Sequence, residues 1–111
     1  MTPQNAPDGE AGEPVTRRAL TLSGWVQGVG LRWRAQTAAN ALGATGWVRN
    51  NFDGSVSMEL QGREADIDAL LISVERGTYV RIEALTAKTV PVVENERVFS
   101  VLDDGEGYVG C

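Results

Sequence analysis

The hydrophobic period of this chain changes from two to 3.6 across four residues, Gln27-Gly28-Val29-Gly30. Residues 18–26 alternate, with Leu20, Leu22 and Val26 on one face, the pattern of a half-buried strand. From Leu31, the residues Leu31, Ala35, Ala38 and Leu42 fall on one helical stripe, and Gly43 stands where a helix C′ glycine belongs. A strand that feeds a helix through so short a glycine-bracketed loop opens a β-α-β unit, and the remaining elements must be read around it.

They follow in a definite order. Thr45–Asn50 is a second strand, and Asn51-Phe52-Asp53-Gly54 is turn chemistry in which Asp-Gly signals a hairpin. Ser55–Gln61 alternates with Val56, Met58 and Leu60 inward, and Gly62 is expected to break that strand. Glu64-Ala65-Asp66 supplies an acidic first turn to a helix whose core face is Ile67, Leu70, Leu71 and Val74, ending at Gly77. Val80–Val90 is rich in β-branched residues, and Arg97–Leu102 is a short last strand with Phe99 and Val101 on one side. The order β-α-β-β-α-β plus a final strand predicts an α+β, ferredoxin-like sandwich: a mostly antiparallel sheet with both helices on one face. One domain over 15–103 is expected, with a disordered tail at 1–14 and a C-terminal tail at 104–111.

The loop itself has the architecture of an anion cradle. Glycines at 28 and 30 permit positive φ, so that successive N–H groups of Gln27, Gly28, Val29, Gly30 and Leu31 converge at the start of a helix. The helix dipole adds about half a positive charge there. Arg32 opposes that dipole, a local cost expected where function overrides stability, and its planar fork matches two phosphate oxygens. A plain strand-to-helix turn would need the glycines but not the arginine. The surroundings share the sign: between Glu13 and Asp53 lie five arginines and no carboxylate. Arg17, Arg18 and Arg34 are expected to face solvent, and Arg49 to face outward beside the site. Trp47 is read as packing.

Composition removes most other chemistries. The chain has no His, and its single cysteine is Cys111, so zinc sites, Ser-His or Cys-His dyads and histidine acid–base catalysis are excluded. No metal and no cofactor is expected. A net charge of -5 opposes general nucleic-acid affinity. No apolar run approaches the ~20 residues of a membrane span, and the acidic start lacks the features of a secretory signal, so a cytoplasmic monomer is the expectation.

Asn50 ends the second strand. Alone it reads as an Asx-turn residue. Together, however, Gly24-x-Val26-Gln27-Gly28-Val29-Gly30-x-Arg32, Gly46-Trp47-Val48-x-Asn50 and Asp53-Gly54-x-Val56 resemble the acylphosphatase family, from about Leu20 to Leu102. The resemblance implies hydrolysis of the carboxyl–phosphate bond of an acyl phosphate, with Arg32 and Asn50 catalytic. It implies a phosphate held by Arg32 and the N–H groups of Gln27 to Leu31, and a water oriented by Asn50. Two features depart from the family: Leu31 stands where Phe is usual, and Gly77-Thr78-Tyr79-Val80 lacks a proline. An acylphosphatase-like domain that handles carbamoyl phosphate, and a non-catalytic ferredoxin-like module binding an anion or RNA, are the alternatives. A cradle that grips only phosphate leaves acetyl, carbamoyl and 1,3-bisphosphoglycerate-like substrates all open.

Overall fold

A computed structural model of the chain describes residues 14–102. The expected tails lie outside that range except for Pro14, as do Asp103 and Cys111. The elements run β1 (Val15–Trp25), α1 (Leu31–Leu42), β2 (Thr45–Asn50), β3 (Val56–Arg63), α2 (Glu64–Glu75), β4 (Arg81–Val90) and β5 (Phe99–Val101). The sheet order is β4-β1-β3-β2-β5. All pairings are antiparallel except β2 with β5, which is parallel. The ferredoxin-like α+β architecture predicted from element order is the fold observed.

One core fills the space between the sheet and the helices. Leu20 and Leu22 of β1, Val48 of β2, and Val56, Met58 and Leu60 of β3 point into it, as alternation along each strand requires. Above them α2 contributes Ile67, Leu70 and Val74, while α1 contributes Leu31, Ala35 and Ala39. Each large aliphatic side chain so buried stabilises the fold by about 1.5–3 kcal/mol. The two alanines contribute less area, but they leave no bulk between α1 and the strands beneath it. Ala38, expected on the stripe, is only partly buried, and Ala39 takes the innermost place.

Several boundaries differ from the sequence reading. β1 begins at Val15 rather than residue 18, because its first residues pair with Arg63, Gly62 and Gln61. For the same reason Gly62 does not break β3: it is held in register opposite Thr16, and α2 starts directly after Arg63. The connection between β2 and β3 spans residues 51–55, longer than a two-residue Asp-Gly hairpin. β5 is three residues long, and Phe99 is buried whereas Val101 is exposed.

The largest correction concerns Arg17. It was expected in solvent and is 2% exposed. It lies on the sheet face opposite the helices, where Nε donates to Glu59 Oε1 at 2.6 Å, and Nη1 donates to Gln61 Oε1 at 3.0 Å and Glu96 Oε1 at 2.8 Å. Gln61 in turn accepts from the Val93 N–H and donates to its carbonyl, at 2.8 and 3.0 Å. Arg17 and Gln61 therefore clamp the β4–β5 connection onto the sheet. Arg18 pairs with Glu64 at 2.8 Å, and Arg34 donates to the Ser73 carbonyl at 3.0 Å, bridging α1 to α2. Trp47 is half-buried on the same sheet face as Arg17, with the Arg49 guanidinium 5.3 Å from its ring centroid, a cation–π contact.

Candidate active site

The site forms where β1 hands over to α1. Gly28 and Gly30 have φ of 72° and 79°, both left-handed, and no atom stands within 4 Å of where a Cβ would project. Glycine meets this geometry without strain, and the exposed loop backbone stays accessible to a ligand. Gly30 caps α1 with no side-chain hydrogen bond, and the first turn of α1 holds no acidic residue. The first turn of α2, by contrast, contains Glu64 and Asp66. Those carboxylates complement the positive end of α2, whereas α1 presents its own to the loop together with Arg32.

A cavity of about 390 Å³ opens beside the loop, lined by Val26, Gly28, Gly30, Leu31, Arg32 and Asn50 and also by Trp33, Gln36, Val101 and Leu102. Asn50 is 8% exposed, at the end of β2 and on the helix-facing side of the sheet. The cavity thus brings Arg32 and Asn50 together across β3, which separates β1 from β2 in the sheet. Arg49, the next residue along β2, lies on the opposite sheet face, so it does not stand beside this cavity. Among the residues predicted from the loop, Gln27 and Val29 do not line it. The Val29 side chain packs against the core.

Gln27 has a role that the sequence reading missed. Its amide Nε2 donates to the carbonyls of Asn51 at 2.7 Å and Ser55 at 2.9 Å. This ties the glycine loop to the turn that directly follows Asn50. The turn is itself cross-braced. Asn51 Nδ2 donates to Ser55 Oγ and Ser57 Oγ at 2.9 and 2.7 Å, and Asp53 Oδ1 accepts from the Ser55 N–H at 2.9 Å. Hydrogen bonds from the Ser55 hydroxyl and N–H hold the Asp53 carboxyl below its ordinary pKa.

The wall made by Trp33, Gln36, Val101 and Leu102 was also missed. Gln36 lies one turn beyond Arg32 and was within reach of the helical period. Val101 and Leu102 enter through the parallel pairing of β5 with β2, which no local pattern announces. Arg32 Nη1 donates to the Leu102 carbonyl at 3.4 Å, and Gln36 Nε2 to the Phe99 carbonyl at 3.4 Å, so α1 holds that wall. No group of three or more His, Cys, Asp or Glu side chains suited to a metal occurs among the described residues. No helix among them is long and apolar enough to cross a membrane.

Fold and cavity together define a small ferredoxin-like α+β domain with an arginine-bearing pocket at its first strand-to-helix loop. Comparison with known proteins makes the assignment specific. The acylphosphatase family model matches residues 18–101. The chain is 36% identical to the acylphosphatase of Clostridium acetobutylicum over 89 residues, covering 79% of this chain and 98% of that protein. It is 37% identical to the acylphosphatase of Geobacillus kaustophilus over 95 residues, 85% of this chain and 100% of the other. The crystal structure of acylphosphatase from Bacillus subtilis superposes with a TM-score of 0.72 at 26% identity, covering 78% of this chain and 98% of that one. Full-length HypF in its phosphate- and nucleotide-bound form matches with a TM-score of 0.74 at 25% identity, over 86% of this chain but 13% of that one. The chain belongs to the acylphosphatase family.

Proposed function

We propose that this protein is an acylphosphatase that splits the carboxyl–phosphate bond of small acyl phosphates, releasing a carboxylate and inorganic phosphate. Arg32 and the N–H groups of the loop, of which Gly28, Gly30 and Leu31 line the cavity, hold the phosphate, and Asn50 orients the attacking water. The observation that carries this reading is the single cavity shared by Gly28, Gly30, Arg32 and Asn50. The water oxygen bonds to phosphorus as the bond from phosphorus to the carboxyl oxygen breaks, and the electron pair leaves with the carboxylate. A phosphate oxygen takes the water proton. Because a carboxylate is a good leaving group, no strong general acid is needed, and the work is positioning and charge stabilisation. The Arg32 guanidinium, now on the Leu102 carbonyl through a long contact, has in a phosphate oxygen a charged and stronger acceptor.

Residues 15–103 are proposed as one catalytic domain, monomeric and cytoplasmic. The curated relatives, matched over nearly their whole length, carry the name acylphosphatase, which supports hydrolysis of acyl phosphates. The open sheet face weighs against RNA: beside Trp47 it carries Ala19, Thr21, Ser57 and Glu59 rather than stacked aromatic pairs.

Two substitutions test the roles. Arg32→Ala lowers both phosphate affinity and turnover, since the guanidinium contacts the charged group in ground and transition states alike. Asn50→Ala lowers turnover on the order of 10²–10³-fold and largely spares phosphate affinity. Benzoyl phosphate hydrolysis and calorimetric titration of phosphate measure the two effects. Equal loss of phosphate affinity in both variants would place Asn50 in the cradle instead, and near-full turnover of Asn50→Ala would reduce it to a turn residue.

A further inference from the structure

The cavity is open to solvent, and at about 390 Å³ it has room for more than a phosphate. Its lining is mixed in chemistry: the glycine backbone, Arg32 and Asn50 are polar, and Trp33, Val101 and Leu102 are apolar. These three are among the exposed large apolar side chains of the protein: Trp33 is 66% exposed, Val101 39% and Leu102 37%. Scattered apolar residues on a surface need no explanation, but three grouped on the rim of one polar cavity do.

The wall is also held in place. Trp33 follows Arg32 on α1, and both line the cavity. The end of β5 is fixed by its pairing with β2, the Leu102 N–H donating to the Val48 carbonyl at 2.9 Å, and by the hydrogen bond from Gln36 to the Phe99 carbonyl. A planar apolar acyl group can lie against the indole and reach Val101 and Leu102. An acetyl or carbamoyl group is too short to use that surface fully, and a carbamoyl or glyceroyl group would set polar atoms against it.

Resting on the acylphosphatase reading, we propose that Trp33, with Val101 and Leu102, forms an acyl-group subsite that selects acyl phosphates with flat, apolar acyl groups. Trp33 is then a specificity-determining residue, while the cradle recognises the phosphate common to all such substrates.

The test compares kcat/KM for benzoyl phosphate and acetyl phosphate in the wild type, Trp33→Ala and Trp33→Phe, with inhibition by inorganic phosphate measured in each. The wild type prefers benzoyl phosphate. Trp33→Ala lowers the benzoyl-to-acetyl ratio about fivefold, the effect of one lost aromatic contact, and Trp33→Phe keeps most of it. The inhibition constant for phosphate does not move, because the cradle is intact. An unchanged ratio in Trp33→Ala overturns the proposal, as does a loss that tracks weakened phosphate binding. A wild type that hydrolyses neither substrate overturns the activity itself, and the subsite with it.

Discussion

At the scale of single residues, what could be read in advance was what acts through local spacing. Gly28, Gly30 and Arg32 lie within five residues, and the change of period around them marks a loop that opens a helix. Asn50 joined them through the family resemblance, and the fold then put it in the same cavity. Arg17 shows the opposite case. Its partners Glu59 and Glu96 are 42 and 79 residues away, so nothing near it in the chain distinguishes it from a solvated charge. Gln27 was read only through its backbone for the same reason, since its carbonyl partners belong to a turn 24 and 28 residues on. Its amide ties the glycine loop to the turn that follows Asn50, which under the proposed function makes it a positioning residue. Gln27→Ala is therefore expected to lower kcat on the order of 10²-fold, the usual penalty for a reacting group about an ångström out of place, with a smaller effect on phosphate affinity. Steady-state kinetics alongside phosphate titration would show the split, and an undiminished kcat would mean that the loop keeps its register without the amide.

Among the elements, types were legible and ends were not. Each strand and helix expected from periodicity is present, because burial on one face leaves its period in the sequence. The ends depend on pairing. Gly62 reads as a breaker in isolation, yet it stays in the ladder because Thr16 stands opposite. Gly46 carries the sharper consequence. Its φ is 134°, and a Cβ there would lie 1.8 Å from the Glu59 carbonyl oxygen on β3. The obstacle is backbone, so no side chain can move aside. Gly46→Ala should destabilise the fold by about 3 kcal/mol, and because β2 also carries Asn50, activity should fall with it. Urea denaturation gives the stability, and a midpoint equal to the wild type's would show that the two strands can separate without cost.

For the molecule as a whole, charge on the face opposite the helices ties fold stability to pH. Burial pushes the Glu96 carboxyl pKa up, but hydrogen bonds from Arg17 and Thr45 and the nearby Arg17 charge outweigh it, and the pKa lies below the ordinary 4.5. A carboxyl whose folded pKa is depressed contributes stability that is fully present above its unfolded value and is lost as pH falls through the folded one. The melting temperature should thus hold from neutral pH to about pH 5 and drop below it. Glu96→Gln should melt lower than the wild type at neutral pH, and the gap should narrow on acidification. Melting curves that stay parallel down to strongly acid pH would remove Glu96 from the account. The hydrogen bond from Arg32 to Leu102 spans 70 positions, and it gives the order of synthesis a meaning. A growing chain acquires its glycine loop and Arg32 early and Asn50 soon after, but the last part of the cavity lining arrives only with β5. A domain folds as a unit, once its segments have been made. Until β5 is made, then, a growing chain carries Arg32 and Asn50, the proposed catalytic pair, without the whole cavity that they line.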